Sequence, residues 1–314
     1  TRVRSSAASD VYKRQVKDNT FSSSYSILLY KCEQSSHFNL RWCYNLGMIW
    51  NDHKGFGKQI FILAKNELIK TYKGAVIGPL WAVVKPVFTL FVYWFAFAIG
   101  VRGGAARDEL GNGTPYFIFL MVGFVPWFFI NDAILMGSKS IRANSQFVTK
   151  VSFPVSAIMS YVTLSRLFVH FFLSILMYVY MLLAGIQPMW SNLEFFYYCP
   201  LMFMFFLALS WSTAPMCAFS RDFENMIVSF MSGLFWLSGI IYNSYTIEYD
   251  WLRKIMYFNP INYFVNGYRK AFLTGAPLFD NSTETIIFFA EFAVIIFLGI
   301  FNFTRLRKRL PDVL

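Results

Sequence analysis

Long apolar runs separated by short polar stretches fill the chain after residue 74. A helix needs about 20 apolar residues to cross roughly 30 Å of hydrocarbon, because each residue adds about 1.5 Å. Six runs meet this requirement, so the pattern predicts an all-α integral membrane protein with six transmembrane helices. The predicted spans are Leu80–Val101, Tyr116–Leu135, Pro154–Ala184, Phe195–Ser220, Asn225–Ile247 and Thr285–Thr304.

A different pattern precedes the first span, in residues 51–73. Apolar residues recur there at helical spacing, and lysines occupy the other positions. Such an amphipathic helix lies in the membrane interface rather than crossing it; the alternative is a helix packed on a soluble core, but no soluble core follows in the sequence. The apolar stripe consists of Ile60, Leu63, Ala64 and Leu68, and the basic flanks of Lys58, Lys65 and Lys73.

The connection between the fifth and sixth predicted spans is long and semi-apolar. Its stretch Trp251–Leu273 is rich in Tyr and Phe but is too interrupted by charge to be a seventh span. We expect an interfacial or re-entrant helical hairpin, which is tolerated where protein shields the backbone from lipid. Equally, any single ring there could simply mark the depth of the lipid headgroups.

The amino-terminal 50 residues precede the predicted membrane domain, and the adaptor-like stretch among them is excluded from the fold. Residues 1–15 are interpreted as a non-native tail, because Ser5–Gln15 resembles the translation of a sequencing-library adaptor; the alternative is an ordinary disordered tail. Residues 16–50 form a polar segment. No cleavable signal peptide is expected, since the first apolar run comes too late.

Lys and Arg are distributed unequally between the predicted loops, and this sets the orientation. They concentrate before the first span, after the second and fourth, and after the sixth, so these regions and both termini should be cytoplasmic. The residues on this side are Arg41, Lys54, Lys58, Lys65, Lys70, Lys73, Lys85, Lys139, Arg142, Lys150, Arg221, Arg305, Arg307, Lys308 and Arg309. The opposite side carries Arg102, Arg107, Arg253, Lys254, Arg269 and Lys270.

Composition supports a membrane protein and excludes several other classes. Hydrophobic residues make up 56% of the chain and charged residues 14%, against about 25% charged in soluble domains. The net charge of +11 does not indicate nucleic-acid binding, because the basic residues lie in short clusters between apolar runs. The four cysteines lack CxxC spacing, so neither a zinc site nor a disulfide framework is expected.

Four ionisable residues fall inside predicted spans: Asp132, Arg166, His170 and Glu291. Such residues are costly in hydrocarbon and should face protein or water. Arg166 and His170 are four residues apart and share a helix face. They could form a polar patch on a transport path or a contact to another subunit, or they could be structural groups that snorkel or are buried with partners. An intramembrane enzyme would need such groups to converge in one cavity, and their scatter along the chain argues against that class.

No GxxxxGK[ST] pattern occurs in the chain, so it is not expected to bind ATP through a P-loop or to need a cofactor of its own. Energy for active transport would have to come from another polypeptide or from an ion gradient.

Five landmarks follow one another along the chain. They are Leu63–Pro86, Gly123–Trp127, Lys150–Pro154, Arg221–Phe223, and Asn259–Ile261 followed by Gly267–Arg269. In this order they resemble the permease subunits of type-2 ATP-binding-cassette (ABC) exporters, in the branch that exports polysaccharides, O-antigen, capsule and teichoic acid. The chain departs from that pattern at Val155, where Arg is common, and at Ala157–Met159, where a second Pro is usual.

The resemblance implies a permease domain over residues 78–308 that acts as a homodimer, with two copies of a separate ABC ATPase subunit that bind the ATP. It also implies that the loop Ser138–Ser152 contains a coupling helix for that ATPase, although the loop could instead be a plain basic cytoplasmic loop. The candidate coupling residues are Lys139, Arg142, Ser145, Gln146, Arg221 and Asp222.

In the same family the substrate path runs between the two subunits, along spans one and five. Both spans are aromatic here, and aromatic faces suit sugar rings that slide without tight hydrogen bonds. Packing or lipid contact explains any single ring equally well, so the prediction concerns the set. It comprises Tyr93, Trp94, Phe97, Phe235, Trp236 and Tyr242.

The leading hypothesis is therefore a permease in a bacterial inner membrane that exports a lipid-linked cell-surface polysaccharide. The first alternative is a permease of the same fold that exports a drug or a lipid. The second, from another class, is a polytopic membrane acyl- or glycosyltransferase.

Overall fold

The structure is a computed structural model that describes residues 47–101, 109–150 and 153–314, with the backbone alone at Val101. The predicted tail 1–15 and all but the end of segment 16–50 lie outside the described residues. Contacts divide the chain into Thr1–Asn51 and Asp52–Leu314. Of the first unit only residues 47–51 are described, and they are helical.

Helices make up the second unit, and no strand occurs in its described ranges, which confirms the all-α prediction. A π-helical segment, Phe95–Val101, extends the second helix, and another, Lys270–Thr274, extends the ninth. The α-helices are α1 (Gly57–Thr71), α2 (Trp81–Trp94), α3 (Tyr116–Ala143), α4 (Ser145–Thr149), α5 (Val155–Leu183), α6 (Phe195–Phe219), α7 (Arg221–Trp236), α8 (Asp250–Met256), α9 (Pro260–Arg269), α10 (Ser282–Leu306) and α11 (Leu310–Val313).

Five helical segments of the described chain are long and apolar enough to cross a membrane. They match predicted spans one, two, three, four and six. Their bounds are Gly78–Gly100, Tyr116–Ala143, Val155–Leu183, Trp190–Phe219 and Ser282–Val313.

The predicted fifth span, Asn225–Ile247, is shorter than expected. Its helix α7 has 16 residues and ends at Trp236, which gives a length of about 24 Å. The chain then turns at Gly239, whose φ of +63° suits glycine. A continuous sixth crossing is therefore not confirmed. After α7 the backbone carbonyls accept hydrogen bonds from a side chain rather than from the N–H groups of a further helical turn.

The predicted amphipathic helix 51–73 begins later than expected. A turn with Gly55 at φ +87° separates residues 47–53 from α1. Ile60 and Ala64 of the predicted stripe are buried, and α1 lies on α5, where the rings of Phe61 and Phe168 are 5.5 Å apart. The apolar stripe of α1 thus faces the rest of the protein. The position of α1 in the membrane interface stays a prediction.

Two helices occupy the stretch predicted as a hairpin. Asn259 starts α9 by accepting a hydrogen bond from the backbone N–H of Ile261 at 3.0 Å, with Pro260 at the first helical position. Residues 261–273 are all buried. Both α8 and α9 are therefore helical, and α9 is enclosed by protein. The interfacial or re-entrant hairpin itself stays a prediction.

The core centres on α3, which packs against α5, α6 and α9, while α6 packs closely against α10. The α6–α10 contact depends on Gly299, because a Cβ added there would lie 2.5 Å from the carbonyl oxygen of Ala208. We expect Gly299→Ala to destabilise the protein by about 1–3 kcal/mol, since the backbones must separate. Thermal unfolding of the purified protein, followed by gel filtration, measures this change.

Gly233 provides a matched control, because a Cβ added there meets nothing within 4 Å. Gly233→Ala should leave the unfolding temperature unchanged or raise it, as alanine is the better helix former by about 0.5–1 kcal/mol. Equal effects of the two substitutions would contradict the close approach of α6 and α10.

Candidate functional site

Predicted path residues from α2 and α7 meet in one aromatic cluster. The ring centroids of Tyr93 and Phe235 are 5.1 Å apart, and those of Phe97 and Trp236 are 6.4 Å apart. Phe235 also packs against Trp236 at 5.4 Å. Since Phe235 is 7% exposed and Trp236 52%, the cluster runs from the core to the surface of the chain.

The other two predicted path residues have different neighbours. Trp94 packs edge-on against Phe117 at 6.0 Å, away from α7. Tyr242 lies beyond the end of α7 and its hydroxyl donates to the carbonyl of Trp236 at 3.0 Å. The structure therefore groups Tyr93, Phe97, Phe235 and Trp236 and attaches Tyr242 to them only through the backbone.

Two further rings in this cluster were missed by the path prediction. Phe124 lies 5.1 Å from Tyr93, and Trp127 lies 5.4 Å from Phe235. Both belong to α3 and to the landmark Gly123–Trp127. The landmark already contained both residues, but helical periodicity alone does not show which side of α3 faces α2.

An ion cluster joins the end of α3 to the start of α7. One carboxylate oxygen of Glu224 accepts from Arg142 Nη1 at 2.7 Å, and the other pairs with Lys139 Nζ at 3.2 Å. Arg142 Nη2 donates to the carbonyl of Cys217, near the end of α6. Arg142 therefore binds three helices together at one end of the bundle.

The loop Ser138–Ser152 predicted for coupling is largely helical, because α3 continues to Ala143 before α4 begins. Lys139 and Arg142 consequently belong to α3 rather than to a free loop. Their common partner Glu224, which follows Arg142 by 82 residues, was not predicted. It lies in the first turn of α7, where a negative charge also interacts favourably with the helix dipole.

The remaining coupling candidates are more accessible. Gln146 in α4 is exposed and Ser145 is partly buried. Arg221 and Asp222 are exposed in the first turn of α7, which Ser220 caps by accepting from the N–H of Phe223 at 3.4 Å. These side chains are available to a partner, in contrast to the ion cluster.

Arg166 and His170 share a buried face of α5, as predicted, but contact different elements. Arg166 Nη2 donates to the Thr71 hydroxyl at 3.0 Å, at the end of α1. His170 hydrogen-bonds the Tyr268 hydroxyl at 2.8 Å and the Val125 carbonyl at 3.3 Å. Both side chains therefore link helices, which agrees with the structural interpretation.

Asp132 and Glu291 lie in separate surroundings. Asp132 accepts from Asn131 Nδ2 at 3.5 Å and interacts electrostatically with Arg166. Glu291 lines a cavity between α6 and α10. The four intramembrane ionisable residues thus do not converge in one cavity.

A buried guanidinium holds the turn after α7. Arg269 is 3% exposed and donates to the carbonyls of Gly239 and Ile240, both at 2.6 Å, and of Tyr242 at 3.2 Å. It also lies 3.7 Å from the ring centroid of Phe119. Burial lowers the pKa of Arg269 to about 9, so it stays positively charged at neutral pH.

The comparisons of this chain with known proteins agree with one another. A family model described as ABC-2 type transporter matches residues 58–273. An O-antigen export system permease protein RfbA from Klebsiella pneumoniae is 25% identical over 286 residues, which cover 88% of this chain and 100% of that protein. The protein of the same name from Myxococcus xanthus is 27% identical over 212 residues, which cover 67% of this chain and 78% of that protein.

Proposed function

As the chain belongs to the family of ABC-2 type transporters, we propose that it is the permease subunit of an ATP-driven exporter of a cell-surface polysaccharide, such as O-antigen, capsule or teichoic acid. The observation that carries this proposal is the match along the whole length of an O-antigen export permease. The substrate would be lipid-linked and would move from the cytoplasm across the inner membrane of a bacterium.

The aromatic cluster supplies a surface suited to this substrate. Tyr93, Phe97 and Trp236 present ring faces, and Tyr93 and Trp236 also present polar tips, which contact sugar rings without fixing them in one position. The substrate path would lie along α2 and α7 and would be completed by the same helices of a second copy. The apolar face that α2 exposes in one chain supports such a homodimer, and includes Val87, Phe88, Phe91 and Phe95.

Six crossings and cytoplasmic termini complete the proposed topology. Residues 237–247 would finish the crossing begun by α7, and α8 and α9 would lie at the outer face. Asp52 supports termini on one side, because it accepts from Ser156 at 2.8 Å and from Arg307 at 3.2 Å. Asp52 therefore brings together the start of the permease, the start of α5 and the end of α10.

ATP would be hydrolysed by a separate ABC ATPase subunit, two copies of which would bind the dimer. Its docking surface would include the exposed residues Gln146, Arg221 and Asp222, with α4 as the coupling helix and α1 beside it in the membrane interface. The ion cluster at Glu224 would then connect this surface to α7.

Gene deletion tests the proposed function. A strain that lacks the permease should accumulate polysaccharide inside the cell and lose it from the surface, and a plasmid copy should restore the surface polymer. Quantifying the polymer in surface extracts and in lysates provides the measurement. Normal surface polysaccharide in the deletion strain would exclude the proposal, and resistance or lipid phenotypes alone would favour an exporter of small amphiphiles.

A further inference from the structure

An apolar cavity of about 510 Å³ lies between α6, α10 and the junction of α8 with α9. Its wall includes the rings of Phe205, Phe206 and Phe258 together with Ala290 and Val294. The volume falls within the roughly 300–1,000 Å³ of sites that bind small molecules. We call this space the Glu291 cavity, because the carboxylate of Glu291 is the one ionisable group in a wall that is apolar apart from it and Asn259.

The carboxylate of Glu291 is half-buried. One of its oxygens, Oε2, is fully buried and accepts no hydrogen bond in the ranges that the structure describes. Within the same ranges no basic side chain forms an ion pair with the carboxylate. An ionised carboxylate in these surroundings is costly, especially between membrane-spanning helices. A cation from outside the chain would offset this cost.

The chemistry of the wall defines that group. Phenylalanine faces attract cations through their ring quadrupoles as well as apolar bodies through contact. A lipid acyl chain would fill the apolar space but would leave the carboxylate unpaired. A single carboxylate compensates a single positive charge.

We propose that the Glu291 cavity binds lipophilic monocations, with Glu291 paired to the charge and the phenylalanine rings packed against the apolar body. None of the rings of the aromatic cluster lines the cavity, although Leu234 of α7 does. The cavity therefore gives the permease a small-molecule ligand in addition to any polymer that passes along α2 and α7, and it does not depend on the proposed export function.

Tetraphenylphosphonium is a suitable probe, with tetraphenylborate as an anion of nearly the same shape. The full-length protein in lipid nanodiscs, dialysed to equilibrium against each labelled ion, should bind tetraphenylphosphonium saturably at one site per chain. Binding to empty nanodiscs is subtracted. Tetraphenylborate should show no saturable binding, because the carboxylate repels it.

Two variants test the site itself. Glu291→Gln removes the charge and Ala290→Phe fills the space, and each should raise the dissociation constant for tetraphenylphosphonium at least about tenfold. The matched controls Glu248→Gln and Ala293→Phe, at exposed positions outside the cavity, should bind like the unmodified protein. Glu291→Gln conserves shape, so it remains informative if Ala290→Phe fails to fold.

Three results would overturn the proposal. The first is the absence of saturable tetraphenylphosphonium binding to the unmodified protein. The second is unchanged affinity in Glu291→Gln. The third is tetraphenylborate binding as tight as that of the cation, which would mean that the cavity accepts any lipid-soluble body, acyl chains included.

Discussion

Replacing Arg269 by methionine is expected to destabilise the protein by about 3–5 kcal/mol, a large share of the roughly 5–15 kcal/mol that stabilises a typical folded protein. Methionine can occupy the space of the apolar stem but donates no hydrogen bond. The carbonyls of Gly239 and Ile240 would then be buried without their donor, and each such loss costs about 1–3 kcal/mol. The yield of monodisperse protein after solubilisation and graded heating measures the effect.

Arg253 is the matched control for this change, because it is partly exposed and pairs only with its helical neighbours in α8. Arg253→Met should alter stability by less than about 1 kcal/mol. Arg269→Lys should lie between the two, since one ammonium cannot reach all the carbonyls that the guanidinium fork binds. If Arg269→Met were as stable as Arg253→Met, the guanidinium would not hold the turn after α7.

Glu224→Arg should reduce surface polysaccharide at least about tenfold when it replaces the native permease in the deletion strain, which is a typical size for energetic coupling between sites. The substitution would place three cations together at the ends of α3 and α7. Movement of α4 would then no longer be transmitted to α7 and its aromatic cluster. Polymer in surface extracts provides the measurement, and this prediction rests on the proposed export function.

A charge-reversed pair at positions 142 and 224 distinguishes the loss of this contact from a general defect of the protein. Arg142→Glu combined with Glu224→Arg re-creates an ion pair with reversed polarity, so it should restore part of the lost export. Glu248→Arg, at an exposed position, should export normally. Co-purification of the ATPase subunit should persist in Glu224→Arg; its loss would mean that Glu224 serves docking rather than transmission.

The ends of four spans were predictable from sequence to within a few residues, because uninterrupted apolar runs can only be buried or face lipid. The second span continues as a helix to Ala143, beyond its predicted end at Leu135, and the fifth ends early, at Trp236. The predicted Phe195–Ser220 is Phe195–Phe219 in the structure, and Pro154–Ala184 is Val155–Leu183. The burial of α9 was not predictable in this way. Its sequence alternates polar and aromatic residues, and its environment depends on partners far along the chain.

The break in α7 shows why local pattern reasoning failed there. Residues after Trp236 remain apolar, so periodicity continues through the turn. The guanidinium of Arg269, about thirty residues later in the chain, holds the turn that follows the helix. From sequence, Arg269 was assigned only to the charges of the outer side and to the last landmark. The partner of Arg142 was equally hidden, because a lone glutamate gives no signal of the helix end that it pairs with.

The sequence identified the aromatic residues of the candidate site but not the arrangement of their rings. Aromatic richness identified α2 and α7, and the structure joins four of the six named rings. Which ring faces which neighbour depends on how the helices rotate against α3. That rotation is fixed by packing rather than by any single residue.

The unequal burial of α2 and α3 has a consequence for how the protein can evolve. Only 6% of the most apolar stretch in the segment Gly78–Gly100, which contains α2, is buried, against 78% for the corresponding stretch of α3. Substitutions on α2 therefore disturb few contacts within the chain and carry small penalties for its own stability, whereas those on α3 are constrained on nearly every side. We therefore expect sequence changes to be tolerated more readily on α2 than on the central helix.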